Sequence, residues 1–391
     1  MRKAKRLSPL ASASSVESRI WPSSNRPDAT TTTPAALTTT TSRYPSGLFP
    51  RPWHLNKVPG PYYYKTMKFI FKTSRLDNLY FFVSNLTEFH FSCRKHFNVD
   101  WILATGPLDQ KEKKAINNIR PIFEKYGFAI KNDKYLYLGK YFYCPDDKEK
   151  FGSLKKYLLP EEYEAIRVSF SVIEKRFNKI YNKKLLENWK LALEKELSSE
   201  KFLKLFNFAQ RFFNATKVSS VINVHLLMSP SMTWSASGNA NLGDRDITLE
   251  APVFNLTEEQ IELAVCILLH ELSHIWFENS SNYLTAKKLS GDNLPLVKEI
   301  LIDSISPSGF PAQKYSKASN PLKRFLFNNL ADGFKAYENF INNKEADKQK
   351  LSAYVSWFIY PLVAYYYAND KKLDKKFIKA IAEIIKKAGD L

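Results

Sequence analysis

The clearest hydrophobic pattern of the chain lies between residues 257 and 277. Apolar side chains fill Ala264–Leu269 and Ile275–Phe277 on nearly every face of a helix, which is typical of a buried helix. Thr257 and Gln260 form a capping-box pair, and two glutamates follow Thr257, where the helix dipole favours acidic side chains. The pattern therefore predicts a long core helix that begins after Thr257.

Three segments before this helix have the pattern of β-strands. Val221–Leu227 is rich in β-branched and aliphatic residues, and Asp246–Glu250 alternates between polar and apolar residues until Pro252 stops it. Tyr135–Tyr143 is a candidate short strand or hairpin arm. The small, polar segment Ser235–Gly243 has two open interpretations, namely an edge strand whose small side chains allow another backbone to approach closely and an ordinary hairpin loop.

Other segments have helical spacing. Residues 183–215 carry one long amphipathic helix pattern. Leu294–Ile305 is apolar at helical spacing, with polar cap candidates before it and Pro295 in its first turn. The aromatic run Trp357–Tyr365 is too short for a membrane span and is interpreted as a core helix.

The composition changes sharply near residue 66. Residues 1–66 hold nine of the 20 prolines and little periodic hydrophobicity, which indicates a disordered, low-complexity extension. Met67 opens sequence of globular character and is a candidate natural start. We predict a mostly helical domain over 67–200 and a second domain over 201–391. The expected fold class is α+β, predominantly helical, with a small sheet.

The pentapeptide His270-Glu271-Leu272-Ser273-His274 is the main candidate for chemistry. A helix places residues i and i+4 one above the other, so both imidazoles can bind one zinc ion. A core helix with two hydrogen-bonded histidines is the simpler alternative. Burying these polar groups is costly, however, and a metal ion compensates for it. We therefore predict His270 and His274 as zinc ligands and Glu271 as the general base.

A third ligand is needed because a catalytic zinc ion takes three protein ligands and keeps one position for water. No histidine follows His274, so a carboxylate is favoured. Glu299 is the best candidate, since Asp303 shares its helix face and can accept the second N–H of a ligand histidine. This arrangement gives each of the two like-charged carboxylates on the helix face a favourable partner.

These residues resemble the gluzincin zinc metallopeptidases, whose pattern is His-Glu-x-x-His and then Glu-x-x-x-Asp on a following helix. The resemblance covers less than a quarter of the chain and implies a zincin-like catalytic domain that cleaves a peptide or protein substrate. It implies that His270, His274 and Glu299 bind one zinc ion. It also implies that Glu271 is the general base and that Asp303 orients a histidine.

The resemblance has departures. Lys298 stands where thermolysin-like sequences usually carry Asn, and their downstream transition-state histidine is missing. Asp332 is a rival third ligand, in a segment similar to an element of other gluzincin branches, but Asn328 occupies the position of the ligand glutamate. Other gluzincins use a tyrosine to stabilise the transition state. The later tyrosines of this chain are Tyr315, Tyr337, Tyr354, Tyr360, Tyr365, Tyr366 and Tyr367.

Other potential ligands have simpler interpretations. His225 has no partner at metal-binding spacing and is interpreted as a strand residue. His90, Cys93 and His96 lie close together without an evident fourth ligand, so an ordinary core or surface cluster is favoured. Three cysteines do not make a disulfide framework, which favours a reducing, cytoplasmic location.

The net charge of +19 raises another class of function, because a basic surface attracts nucleic acid or anionic membranes. Residues 1–66 hold ten basic and two acidic side chains, so +11 belongs to the rest, where lysines interleave with glutamates. A solvated lysine-rich surface is favoured.

The motif and its candidate third ligand together predict a zinc-dependent metallopeptidase. The alternatives are a non-catalytic zinc-binding regulatory protein and a basic nucleic-acid-associated protein.

Overall fold

The part of the chain that the structure describes begins at Met67. The computed structural model describes residues 67–88, 95–127, 129–131, 134–136, 138–143, 146–214, 220–230, 238–239, 245–253, 256–316 and 359–389. The predictions about residues 1–66, about the cluster around Cys93 and about Asp332 fall outside these residues.

Helices make up most of the described structure. The elements are β1 (Lys68–Lys72), α1 (Arg75–Leu86), α2 (Lys95–Thr105), α3 (Gln110–Gly127), β2 (Ala129–Lys131), β3 (Lys134–Leu136), α4 (Lys140–Tyr143), α5 (Lys150–Leu154), α6 (Pro160–Phe177), α7 (Lys183–Leu197), α8 (Glu200–Phe212), β4 (Val221–Ser229), β5 (Gly238–Asn239), β6 (Asp246–Pro252), α9 (Glu258–Glu278), α10 (Ser281–Ser290), α11 (Leu294–Asp303), α12 (Phe310–Tyr315), α13 (359–368) and α14 (Lys375–Gly389). The predicted class, predominantly helical α+β with a small sheet, is confirmed.

A four-stranded sheet lies at the centre, with the order β1-β4-β6-β5. The first three strands are parallel, and β5 pairs antiparallel with β6 at the edge, Gly238 opposite Leu249. The strands predicted from the sequence near residues 221 and 246 are present as β4 and β6. The described part of the 235–243 segment is the short edge strand β5. A separate hairpin joins β2 to β3.

One face of the sheet packs against α8 and α9 through aromatic side chains. Phe69 of β1 pairs with Ile222 of β4, so both point to this face. The ring of Phe69 meets Phe206 of α8 at 6.2 Å, and Phe206 meets Trp276 of α9 at 5.4 Å. Because parallel strands are usually covered on both faces, a second layer is expected opposite α8 and α9.

The opposite face carries a buried polar network around His225, which lies three positions beyond Ile222 along β4. His225 Nδ1 is 2.7 Å from Asp77 Oδ2 of α1, and His225 Nε2 is 3.1 Å from Asp246 Oδ1 of β6. Lys150 of α5 also contacts Asp77. His225 is therefore a strand residue, as the sequence indicated, and it also connects α1 to the sheet.

The prediction of one long helix over 183–215 is wrong. α7 ends at Leu197 and α8 begins at Glu200. Ser199 caps α8, because its hydroxyl accepts a hydrogen bond from the Phe202 N–H at 3.1 Å. Serine side chains compete for backbone hydrogen bonds, so they favour helix ends over helix interiors.

The sheet also joins parts of the chain that the sequence analysis separated. β1 lies in the segment for which mainly helices were predicted, yet it pairs with β4 more than 140 residues later. The residues from Met67 onward belong to one compact unit. Residues 67–200 and 201–391, which were expected to form two domains, therefore share one sheet.

The aromatic segment near the C-terminus contributes to the core. Ile359 and Val363 of α13 are buried, which agrees with the predicted core helix over its described residues. None of the described helices combines the length and the hydropathy that a bilayer crossing requires.

Candidate metal centre

α9 presents the His-Glu-x-x-His motif from the middle of a long, buried helix. Its start agrees with the prediction: the Thr257 hydroxyl accepts from the Gln260 N–H at 3.3 Å, and the Gln260 side chain accepts from the Thr257 N–H at 2.9 Å. The helix continues to Glu278, two turns beyond the start of the motif. His270 and His274 are therefore held on a rigid element, with their side chains only 13% and 12% exposed.

α11 brings Glu299 to the two histidines. The helix has Pro295 in its first turn, and Val297 and Ile300 are buried against the core. The Lys298 ammonium donates to Glu278 at 2.9 Å and so ties α11 to the end of α9. Glu299 extends from the same turn, and 40% of its side chain is exposed. The cluster therefore reaches the surface on the Glu299 side.

The three predicted donor groups meet at short distances. The Nε2 atoms of His270 and His274 are 3.1 Å apart, and carboxylate oxygens of Glu299 lie 3.6 Å from His270 Nε2 and 3.5 Å from His274 Nε2. Donors about 2.0–2.2 Å from a zinc ion are separated by about 3.1–3.6 Å when the angles at the ion lie between about 100° and the tetrahedral value of about 110°. The donor set and its spacing thus fit zinc, and within the described residues no other group of three such side chains is placed to hold a metal.

The second ring nitrogen of His270 faces two acceptors. His270 Nδ1 is 2.9 Å from the Ser306 carbonyl oxygen and 3.2 Å from Asp303 Oδ1. Because both neighbours accept hydrogen bonds, Nδ1 carries the proton, and a neutral His270 then offers the lone pair of Nε2 toward Glu299. The proximity of Asp303 was predicted. Ser306 contributes a main-chain atom, for which the sequence holds no signal.

His274 lacks this support in the described structure. Its Nδ1 is buried and has no hydrogen-bond partner among the described residues. The two ligand candidates are thus held differently, and the orientation of His274 depends on the packing of α9 itself.

Charge is distributed unequally over the three groups. Burial disfavours the charged form of His270, but hydrogen bonds to Asp303 and Glu299 outweigh it and raise the pKa of His270 well above its ordinary value. Burial lowers the pKa of His274 to about 3. Burial opposes the ionised form of Glu299, yet the adjacent histidines lower its pKa to about 2. Because a histidine must be neutral to bind a metal, the raised pKa of His270 means that protons compete with the metal for this ring.

Glu271 lies beside this cluster without belonging to it. The residue is 9% exposed, and its charge contributes to the raised pKa of His270, so it is close to that ring. It is not one of the three donor groups.

Five of the seven tyrosine candidates lie among the described residues. Tyr337 and Tyr354 lie outside the described residues. Three of the others have hydroxyls hydrogen-bonded to different side chains, in the pairs Tyr315–Glu196, Tyr360–Gln313 and Tyr366–Asp374.

Comparison of the chain with protein-family models, with curated proteins and with solved structures finds no match. The resemblance to gluzincins therefore depends on the motif residues and on their geometry alone.

Proposed function

We propose that the protein is a zinc-dependent metallopeptidase of the gluzincin type. The observation that carries the proposal is the meeting of His270, His274 and Glu299, from two helices, at distances that fit a tetrahedral zinc ion. The placement of Asp303 and Glu271 around that set supports it. Asp303 and Ser306 orient His270, and Glu271 stands next to the donors without being one of them.

The roles of the side chains follow from their positions. A bound zinc ion would supply a Lewis acid that polarises a peptide carbonyl and makes water more acidic. Glu271 accepts the proton that this water releases and delivers it to the leaving amine. Asp303 keeps His270 in the tautomer that leaves Nε2 free, and Lys298 holds the helix that carries Glu299.

The sheet edge supports a peptide as the substrate. β5 is the edge strand, and α9 packs against both β5 and β6. An extended peptide can add to such an edge through main-chain hydrogen bonds, which places its backbone beside the helix that carries the motif. A protein or peptide substrate therefore fits this arrangement.

A non-catalytic zinc site would require the same three donors. Glu271 distinguishes a catalytic from a non-catalytic zinc site, because a site that only stabilises the fold does not need a proton acceptor beside the metal. The test must therefore measure metal content and peptide cleavage separately.

The experiment compares wild type, Glu271→Gln and Glu299→Ala by zinc content and by cleavage of a mixed peptide library. We expect Glu271→Gln to keep one zinc ion and to lose activity by about a hundredfold or more, because the proton acceptor is gone. We expect Glu299→Ala to lose most of its zinc. Glu259→Gln is the matched control, since Glu259 is exposed in the first turn of the same helix and should retain both properties.

Three results would contradict the proposal. Full cleavage by Glu271→Gln would exclude Glu271 as the proton acceptor. Wild type without zinc would exclude the metal site. Wild type with zinc but without cleavage of any library member would favour the non-catalytic alternative.

A further inference from the structure

A separate surface of the molecule is strongly basic, and it is built from α10, α14 and the turn before α14. α10 packs against α14, and the Asn282 side chain donates to the Leu373 carbonyl at 3.0 Å. The apolar side of α14, with Phe377 and Ile381, is buried in the core, so its lysines point outward. The lysine face consists of the exposed side chains Lys287, Lys288, Lys371, Lys372, Lys375, Lys376, Lys379 and Lys386.

The charge of the lysine face is not balanced by acidic residues. Its eight lysines share these segments with three acidic residues, Asp370, Asp374 and Glu383, and Asp370 pairs with Arg211 of α8 at 2.5 Å. Glu383 pairs with Lys379 at 3.3 Å, and Asp374 caps α14 by accepting from the Phe377 N–H at 2.9 Å. By contrast, α7 carries four lysines and three glutamates. The interleaved pattern found along the sequence therefore does not extend to this surface.

Exposed apolar groups accompany the lysines. Leu284 is 70% exposed on α10, one helical turn before Lys287 and Lys288, so all three side chains lie on the same side of that helix. Tyr365 of α13 is 43% exposed, and the Lys371 ammonium lies 4.4 Å from the centre of its ring. Exposed leucine and tyrosine side chains next to lysines are typical of surfaces that rest on the headgroup region of a bilayer.

We propose that the lysine face docks the protein reversibly on a membrane surface that contains anionic lipids. Two observations favour a membrane over nucleic acid. The face contains lysines only, whereas arginine provides the bidentate contacts that phosphate and base recognition in nucleic acids commonly uses. Leu284 gains nothing from contact with phosphates, but a lipid interface buries it.

The lysine face is linked to the candidate metal centre through α14. α11, which carries Glu299, packs against α14. The lysines are nevertheless separate from the donor residues, so membrane docking and zinc binding can be tested independently.

The test measures sedimentation of the full chain with vesicles at physiological salt. One set of vesicles is pure phosphatidylcholine, and the other contains about 30% phosphatidylserine, which gives the negative surface potential. We expect wild type to bind only the anionic vesicles. Each exposed lysine near such a surface contributes about fivefold, so Lys375→Gln/Lys376→Gln should bind about 25-fold more weakly. Leu284→Ala should bind about three- to tenfold more weakly, because it loses buried methylene groups.

The matched control is Lys113→Gln/Lys114→Gln, which removes the same charge from exposed positions of α3 and should bind like wild type. The basic segment 1–66 is identical in all variants, so it does not affect the comparison. Equal losses in the control and in the lysine-face variant would overturn the proposal. So would equal binding to both kinds of vesicle, or lysine-face variants that weaken binding to a DNA duplex while vesicle binding is unchanged.

Discussion

At the scale of single residues, His270 is the most constrained group of the candidate centre. Its Nδ1 faces a carboxylate and a main-chain carbonyl, whereas the Nδ1 of His274 has no partner in the described structure. The acceptors fix the tautomer of His270 and make its Nε2 more basic. Of the two candidate histidine ligands, only His270 is therefore held by hydrogen-bond acceptors in the tautomer that metal binding requires.

Asp303→Asn tests this assignment. The substitution keeps the shape of the acceptor but removes its charge, so it should weaken zinc binding about tenfold while the Ser306 carbonyl still holds the ring. Zinc affinity is measured by competition with a chromophoric chelator. Asp292→Asn, at an exposed position before α11, is the control and should bind zinc like wild type. Unchanged affinity in Asp303→Asn would show that Asp303 does not support His270.

At the scale of elements, the segment between α11 and α12 is as important as the helices themselves. It carries the Ser306 carbonyl to His270, and the Ser306 hydroxyl donates to the Cys266 carbonyl of α9 at 2.6 Å. The backbone of Gly309 packs so closely against the backbone of Ser304 that a β-carbon at position 309 would lie 1.6 Å from the Ser304 carbonyl oxygen. No larger residue fits unless this backbone moves.

Gly309→Ala should therefore shift the segment and affect both stability and metal binding. We expect a loss of about 2 kcal/mol or more in the free energy of unfolding, as for other overpacked sites, together with weaker zinc binding because Ser306 moves. Urea denaturation and the chelator assay measure the two effects. Gly152→Ala in α5 meets no atom within 4 Å and should instead stabilise by about 0.5–1 kcal/mol. A Gly309→Ala protein as stable as wild type would contradict this account of the segment.

The features that were predicted correctly from the sequence all depend on residues close together in the chain. The start of α9 depends on Thr257 and Gln260, three residues apart, and the ligand spacing depends on a single helical turn. Glu299 and Asp303 were found because they also share one helix face. These features require no knowledge of distant residues.

Long-range partners explain what the sequence did not predict. β1 is a strand because it pairs with β4, and the residues near Lys68–Lys72 contain no information about that distant partner. The same holds for Lys150, whose charge is buried against Asp77 on α1 in addition to its local partner Asp147. The break between α7 and α8 was different, because Ser198 and Ser199 gave a local signal that the apolar periodicity on both sides concealed.

At the scale of the whole molecule, the N-terminal helices and the candidate centre belong to one compact unit. α1 is joined to the sheet through the His225 network, and the opposite face of the sheet packs against α8 and α9. If these layers unfold cooperatively, a ligand that binds only the folded state stabilises every layer, including those far from its site.

Zinc should therefore slow hydrogen exchange in α1 as well as in α9. Zinc at about a hundredfold excess over its dissociation constant adds about 2.7 kcal/mol to the free energy of global unfolding. The slowest amides of a cooperative unit exchange through global unfolding, so the slowest amides of α1 and α9 should gain similar protection in exchange measured by mass spectrometry. Glu299→Ala, which lacks a ligand, should gain none in either helix. Added protection confined to α9 and α11 would mean that the layers unfold separately, because metal binding would then stabilise only the elements that provide its donors.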